Sequence, residues 1–341
     1  MAISRLRYVQ NQTVRFSLEW LIVFILLVSI IGLRHEVGGD WGNDWNNRSE
    51  GASLLVTIRG GDPGYSLLMW IVEQIGLEIH ALDVLSAVPF SWGLLQFCRS
   101  QPRPWLALTV AVPYLVIVVA MGYTRQSVAI GLSMIGLVAL TRGRVLHFVF
   151  WVALAATFHK SAVILVPLAV LAINRRPIFL VFWVGLSTFM LFVLLLQESV
   201  DALFTNYVGN EYNSQGAGIR VAMNAIPAVL FLLLRRRFVM PRAERIFWTW
   251  MSVGALTFIG LLTVSPSSTA VDRVALFWIP LQLFVLSRLP DALGRDGRKN
   301  AVWVYSVVVY AGTVQFVWLF FAQTAYMWVP YQFYPWVWIF E

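Results

Sequence analysis

Charge is scarce in this chain. Asp, Glu, Lys and Arg make up 12% of the 341 residues, against about 25% in a typical soluble chain. That is too little to cover a soluble domain, so a soluble fold is excluded. Cysteine is almost absent. The single Cys98 rules out an internal disulfide and any cysteine-based metal site. Only four histidines occur, at 35, 80, 147 and 159, and none forms an HxxxH-type pair, so no metal-ligand spacing stands out. There is no glycine-rich nucleotide loop and no GxSxG. Lysine occurs only as Lys160 and Lys299, so the basic residues are nearly all arginine.

What is abundant is apolar. Hydrophobic residues make up 59% of the chain, and mean hydropathy is +0.72. Runs of about 20 apolar residues recur along the whole length, the length a helix needs to cross a bilayer. The strict alternation of a transmembrane β-barrel is missing. The sequence therefore predicts an all-α polytopic integral membrane protein, a single transmembrane helical domain over 1–341 whose main partner is the lipid bilayer. Candidate spans are 18–33, 66–79, 81–98, 105–122, 125–140, 145–158, 161–173, 177–196, 219–234, 246–264, 273–288 and 301–322. The first run has no small-residue cleavage site after it and reads as a retained helix.

A net charge of +8 is no argument for nucleic acid here, because basic residues mark cytoplasmic loops. Of the 25 Lys and Arg, 18 fall in the N-terminus, Arg99/Arg103, Arg142/Arg144, Arg175/Arg176, Arg235 to Arg245, and Arg288 to Lys299. The alternate connections hold seven, with most of the acids. The rule that cytoplasmic loops are positive then places the N-terminus in the cytoplasm and the C-terminus outside. It requires an odd number of crossings between Asp62 and Arg99, where two apolar runs lie. The shorter, 66–79, carries Glu73 and is expected to be re-entrant or interfacial, leaving about 11 crossings. Outer loops 34–63 and 197–219 are the places to expect substrate-binding segments.

The outer connections collect Asp40, Asp62, Tyr65, Arg125, Gln126, His159, Lys160, Tyr212, Arg220, Asp272, Arg273 and Tyr331. The hairpin from Arg125 to Pro167 organises them. Two consecutive apolar crossings joined by a tight basic turn return the chain to the side it left. Arg125 at its start and His159 near its end are therefore expected on one face. Arginine forks bind phosphate bidentately and stay charged. Histidine suits proton transfer near neutrality. Together they fit a reaction on a phosphate-linked lipid substrate. Each group also has a structural reading. An arginine at a helix start snorkels, a histidine at a helix end caps carbonyls, and Asp272–Arg273 makes a plain ion pair. The Trp/Tyr-rich tail anchors at the interface.

Arg125-Gln126 with Ala129, followed one hairpin later by Phe158-His159-Lys160-Ser161-Ala162 and Pro167, resembles the EpsG family of Wzy-like polysaccharide polymerases. Val37-Gly38-Gly39-Asp40 is similar to that family's early VGxD, Asp62-Pro63-Gly64-Tyr65 to its (E/D)PGY, and Val329-Pro330-Tyr331 to its C-terminal PY. Arg273 has a counterpart near the start of a late helix. The tyrosine expected shortly after the early aspartate is replaced by Gly42-Asn43-Asp44. The resemblance implies a multi-pass glycosyltransferase of the bacterial inner membrane, with its active site facing the periplasm. It would move glycan from undecaprenyl diphosphate to the non-reducing-end hydroxyl of another lipid-linked repeat unit, with a chain-length regulator as a further partner. On this reading Arg125 and Arg273, with Arg220 or Lys160, hold the diphosphate, and His159 takes the hydroxyl proton with Asp40 or Asp62 in reserve. Gln126 completes the clamp, and Tyr65, Tyr212 and Tyr331 stack on sugars. Arginine supplies the positive charge, so no metal or other cofactor is expected. The alternatives are an O-antigen ligase or other lipid-linked-sugar transferase, a non-enzymatic flippase or transporter, and a membrane-bound acyltransferase.

Overall fold

The computed structural model describes residues 17–46, 51, 53–59, 61–172, 216–265, 267–295 and 299–340, with isolated positions between 182 and 190. The described residues are mostly helical. Its main helices are α1 (Leu18–Gly32), α2 (Pro63–Gln74), α3 (Ile79–Arg99), α4 (Pro104–Ala111), α5 (Thr124–Thr141) and α6 (Val145–Phe158). Beyond the undescribed stretch come α7 (Ala217–Leu234), α8 (Arg242–Val264), α9 (Ser268–Ala275), α10 (Ile279–Leu293), α11 (Ala301–Phe321) and α12 (Tyr334–Phe340). Helix α4 continues as a π-helix over Val112–Ala120, and a short 3-10 turn, Leu276–Trp278, joins α9 to α10. A two-residue antiparallel ladder, Arg34–His35 with Gln332–Phe333, ties the C-terminal region to the end of α1.

Among the described residues, six helical stretches are long and apolar enough to cross a bilayer: α3, α5, α7, α8, the continuous α9–α10 segment and α11. Leu18–Gly32, Pro104–Ala120 and Val145–Phe158 are apolar but shorter. Six of the 11 expected crossings thus have such a helix among the described residues. Run 177–196, loop 197–215 and Tyr212 lie outside the described residues, apart from the isolated positions. The doubtful run 66–79 ends as a helix at Gln74, well before the α3 crossing begins. Its 12 residues span about 18 Å at 1.5 Å each, short of the roughly 30 Å hydrocarbon core. The run expected at 161–173 is not an α-helix but a 3-10 stretch, Lys160–Ala172. Pro167 inside it donates no backbone N–H, which disfavours a regular α-helical ladder there.

Helix α5 is the centre of the bundle, packed between α3 and α6. It is 78% buried over its apolar window, whereas peripheral α11 is 17% buried. Small residues permit this. A Cβ on Gly93 of α3 would lie 1.9 Å from the Gly131 carbonyl oxygen, and one on Gly131 would lie 2.5 Å from Phe90 Cα. Close backbone approach over such small residues is how membrane helices gain packing contacts that lipid would not supply. The start of α5 is thereby fixed against its neighbours, with Thr124 and Gln126 buried on either side of Arg125.

Candidate active site

The turn before α2 places Asp62 and Tyr65. Asp62 precedes Pro63 at the helix N-terminus, where a carboxylate is favoured by the helix dipole. Gly64 then lets α2 lie directly on the end of α6, since a Cβ there would meet Thr157 Oγ1 at 2.4 Å. That close approach brings Asp62 to both ends of the α5–α6 hairpin. Arg125 Nη1 approaches Asp62 Oδ2 at 3.4 Å, and the backbone N–H of Lys160 donates to Asp62 Oδ1 at 3.4 Å. Tyr65 faces the same guanidinium, 6.0 Å from its ring centroid to the arginine carbon, the outer limit of a cation–π contact. Arg125 retains 33% of its side-chain exposure and Asp62 11%, so this pair is reachable.

His159 sits at the junction between α6 and the 3-10 stretch. Its ring leans on Phe277 at 5.9 Å between centroids. Its Nδ1 accepts the Ser161 backbone N–H at 3.4 Å, so the neutral ring carries its proton on Nε2. The ring is partly buried between protein groups. Desolvation, reinforced by the charges of Arg273 and Arg125, pushes its pKa down to about 3. The same two charges show that the late helix α9 reaches the hairpin. Gln126 completes the link, donating through Nε2 to the Arg273 carbonyl at 2.5 Å.

A second group of charges adjoins the first. Arg220 near the start of α7 meets Asp272 of α9 at 2.5 Å, with side-chain exposures of 16% and 8%. Tyr114, in the π-helical part of α4, lies against Arg220 and Asp272. Tyr123, two residues before Arg125, sits within the fields of Arg220, Asp272, Asp40 and Arg273. Asp40 is carried there by the glycine-rich loop. Gly38 has φ +102°, and a Cβ on it would lie 2.1 Å from the Met121 carbonyl oxygen. The Asp40 N–H donates to the Gly122 carbonyl at 3.1 Å.

Nine of the eleven site residues expected from the sequence thus gather at one end of the bundle: Asp40, Asp62, Tyr65, Arg125, Gln126, His159, Lys160, Arg220 and Arg273. Tyr331 lies elsewhere, its hydroxyl donating to the Ile30 carbonyl at 2.7 Å. Tyr212 is outside the described residues. The sequence reading missed Tyr114 and Tyr123. Tyr123 was findable from its place beside Thr124-Arg125, but nothing singles out Tyr114 within an apolar run. It also missed the support beneath the site. Arg34, 1% exposed, donates to Asp83 Oδ1 and Thr124 Oγ1 at 2.9 Å each, to the Ile31 carbonyl at 2.6 Å and to the Val37 carbonyl at 3.1 Å. One guanidinium therefore pins the loop leading to Asp40 and the residue preceding Arg125. No group of three or more His, Cys, Asp or Glu among the described residues could hold a metal ion.

Chemically, the arrangement offers several cations, a reachable carboxylate and a neutral imidazole at one end of a membrane bundle. Ionisable groups in such a setting are expensive and mark function. A family model described as the EpsG family matches residues 18–333. No curated protein matches the chain, and neither does any solved structure.

Proposed function

The chain belongs to the EpsG family, whose members are Wzy-like polymerases, and we propose that it polymerises lipid-linked repeat units of a bacterial envelope polysaccharide. The donor is a glycan on undecaprenyl diphosphate, and the acceptor is the non-reducing-end hydroxyl of another lipid-linked unit. The acceptor oxygen bonds to the donor's anomeric carbon. The bond from that carbon to the diphosphate oxygen breaks, and the lipid diphosphate leaves as an anion. The acceptor proton goes to a protein base. On this reading the site opens to the periplasm, which the distribution of arginine between loops supports.

The observation that carries this reading is the convergence of the Arg125 and Arg273 cations, with the backbone N–H of Lys160, on Asp62 and His159. Cations fixed in a poorly hydrated site stabilise charge that develops on a leaving diphosphate. Two features assign the proton to Asp62 in preference to His159. The histidine has its Nδ1 engaged by Ser161 and its pKa held low, which makes it a poor base and a good neutral donor from Nε2. Asp62 is partly accessible, and its contacts to Arg125 Nη1 and the Lys160 N–H are long, at 3.4 Å each. His159 then donates to a diphosphate oxygen and Asp62 accepts the hydroxyl proton.

The test is polymer length in cells carrying Arg125→Ala, His159→Ala or Asp62→Asn, with protein level measured in the same membranes. Each variant is expected to leave repeat units unpolymerised on the outer leaflet. Normal-length polymer at normal protein level removes that residue from the mechanism. Repeat units retained on the cytoplasmic leaflet would instead identify a flippase.

A further inference from the structure

The clustered charges fall into two groups, one net positive and one balanced. Around Asp62 and His159 stand two cations, Arg125 and Arg273, against one carboxylate, with the backbone N–H of Lys160 as a further donor. Around Tyr123 stand Arg220 and Arg273 with two carboxylates, Asp272 and Asp40, and two phenols, Tyr123 and Tyr114. Arg220 is already matched by Asp272 at 2.5 Å in a nearly buried pair, so its charge is largely spent inside the protein. The first group suits an anion. The second presents carboxylates, phenols and a neutralised guanidinium, which hydrogen-bond well to uncharged hydroxyls and repel a diphosphate. Arg273 belongs to both, since its charge reaches His159 on one side and Tyr123 on the other.

Resting on the polymerase reading, we propose that the Asp40–Tyr123–Arg220–Asp272 group is a separate sugar subsite. It takes the polyol of the attacking repeat unit, while the Arg125–Lys160 group takes the lipid diphosphate of the donor. The two meet at Arg273, where the attacking hydroxyl reaches the anomeric carbon. This differs from a single clamp in which Arg220 helps to hold the diphosphate. Backbone geometry supports the separation. Asp40 is fixed by its N–H to the Gly122 carbonyl, next to Tyr123. Arg125 and Gln126 start the helix beyond Tyr123, with Gln126 anchored on the Arg273 carbonyl. Tyr123 therefore stands at the boundary between the two subsites. A bidentate carboxylate or a phenol oriented by neighbours fixes a sugar hydroxyl at the cost of its hydration, and preorganisation keeps that cost low.

The test uses the full chain in nanodiscs and two probes. One is undecaprenyl diphosphate. The other is the repeat-unit oligosaccharide released by mild acid from the host's lipid-linked pool. Tyr123→Phe, which keeps the ring and deletes the hydroxyl, is expected to weaken oligosaccharide binding at least tenfold and to leave undecaprenyl diphosphate within twofold. Asp272→Asn is expected to act in the same direction, and Tyr123→Phe stands alone if that variant fails to fold. Arg125→Gln is expected to do the reverse. Loss of undecaprenyl diphosphate affinity in Tyr123→Phe overturns the division of the site, as does an unchanged affinity for both probes. If the wild type binds undecaprenyl diphosphate but not the oligosaccharide, the sugar subsite is wrong and the polymerase reading survives. If it binds neither probe, the polymerase reading fails and the subsite with it.

Discussion

The two ends of the helical bundle use arginine differently. At the end away from the site, Arg103 grips Asp291 with both arms of its fork, at 3.1 and 2.7 Å. Asn300 adds a third contact to the same carboxylate at 3.3 Å. Arg288 stacks 4.0 Å over Phe284, pairs with Glu244 at 3.4 Å and donates to the Gln101 side-chain oxygen. At the site end, Arg125 meets Asp62 through Nη1 at 3.4 Å and keeps a third of its surface accessible. The residue types are the same at both ends. A closed bidentate fork has satisfied its geometry and joins helices. A longer, partly accessible contact, with the charge of Arg273 close by, is arranged for an anion that arrives later. Counting arginines would not separate the two ends, but the distances do.

Breaking the carboxylates at each end should show this most sharply. Asp62→Asn is expected to lower the initial polymerisation rate by about 10²–10⁴, the usual range for a lost general base, with undecaprenyl diphosphate binding retained. Asp291→Asn is expected to change the rate by less than about threefold, because a half-exposed pair such as Arg103–Asp291 (side-chain exposures 23% and 27%) contributes roughly 1 kcal/mol or less. Equal losses of rate at equal protein level would erase the distinction between the ends. A third arginine calibrates the comparison. Arg34→Met leaves Asp83 buried without its cation, at a cost of about 3–5 kcal/mol. The expected readout is a large fall in the detergent-solubilised thermal midpoint, whereas Arg125→Met leaves the midpoint nearly unchanged.

Much of this was legible in the sequence because topology is cheap to read in a membrane protein. Two apolar runs around Thr141-Arg142-Gly143-Arg144 had to bring Arg125 and His159 to one end, and they do. The Asp62-Pro63-Gly64-Tyr65 element read as a turn, but its reason is tertiary. Gly64 is required by Thr157, 93 positions away in number, and no local rule reveals that partner. Nothing in the sequence marks Arg34 and Asp83 as partners, yet they form a buried ion pair. Burial is a property of what packs on a residue, and the sequence shows only the residue. Tyr331 was grouped with the site on motif alone, and its hydroxyl instead ties the C-terminal segment to α1. The 3-10 stretch after His159 has the composition of an ordinary span, apart from Pro167.

Gly64 offers a smaller lever on the site end alone. A Cβ there presses on Thr157 Oγ1 and on Phe158 Cδ2 at 3.2 Å, so Gly64→Ala is an overpacking change costing about 1–3 kcal/mol. Because Asp62 and Tyr65 ride on the same turn, the polymerisation rate should fall further than this loss of stability alone explains. Thr157→Ala removes the hydroxyl that the new methyl meets first, and the double variant is expected to recover part of the rate. No recovery would mean that α2 does not position Asp62 by this contact.

The mildest prediction concerns pH. The folded pKa of His159, about 3, lies below the value near 6.5 expected once unfolding exposes the ring. Between those values the unfolded chain binds a proton that the folded chain refuses. Stability from this residue is therefore fully present above about pH 6.5 and is lost as pH falls towards 3, with a limiting slope of about 1.4 kcal/mol per pH unit. His159→Asn removes the linkage. The difference in thermal midpoint between wild type and His159→Asn, followed from pH 7.5 to 5, is expected to shrink or change sign in favour of the variant as acid is added. A difference that stays constant over that range would mean that His159 is not enclosed beside Arg125 and Arg273. The site end would then have lost the feature that makes its histidine a donor and leaves Asp62 as the base.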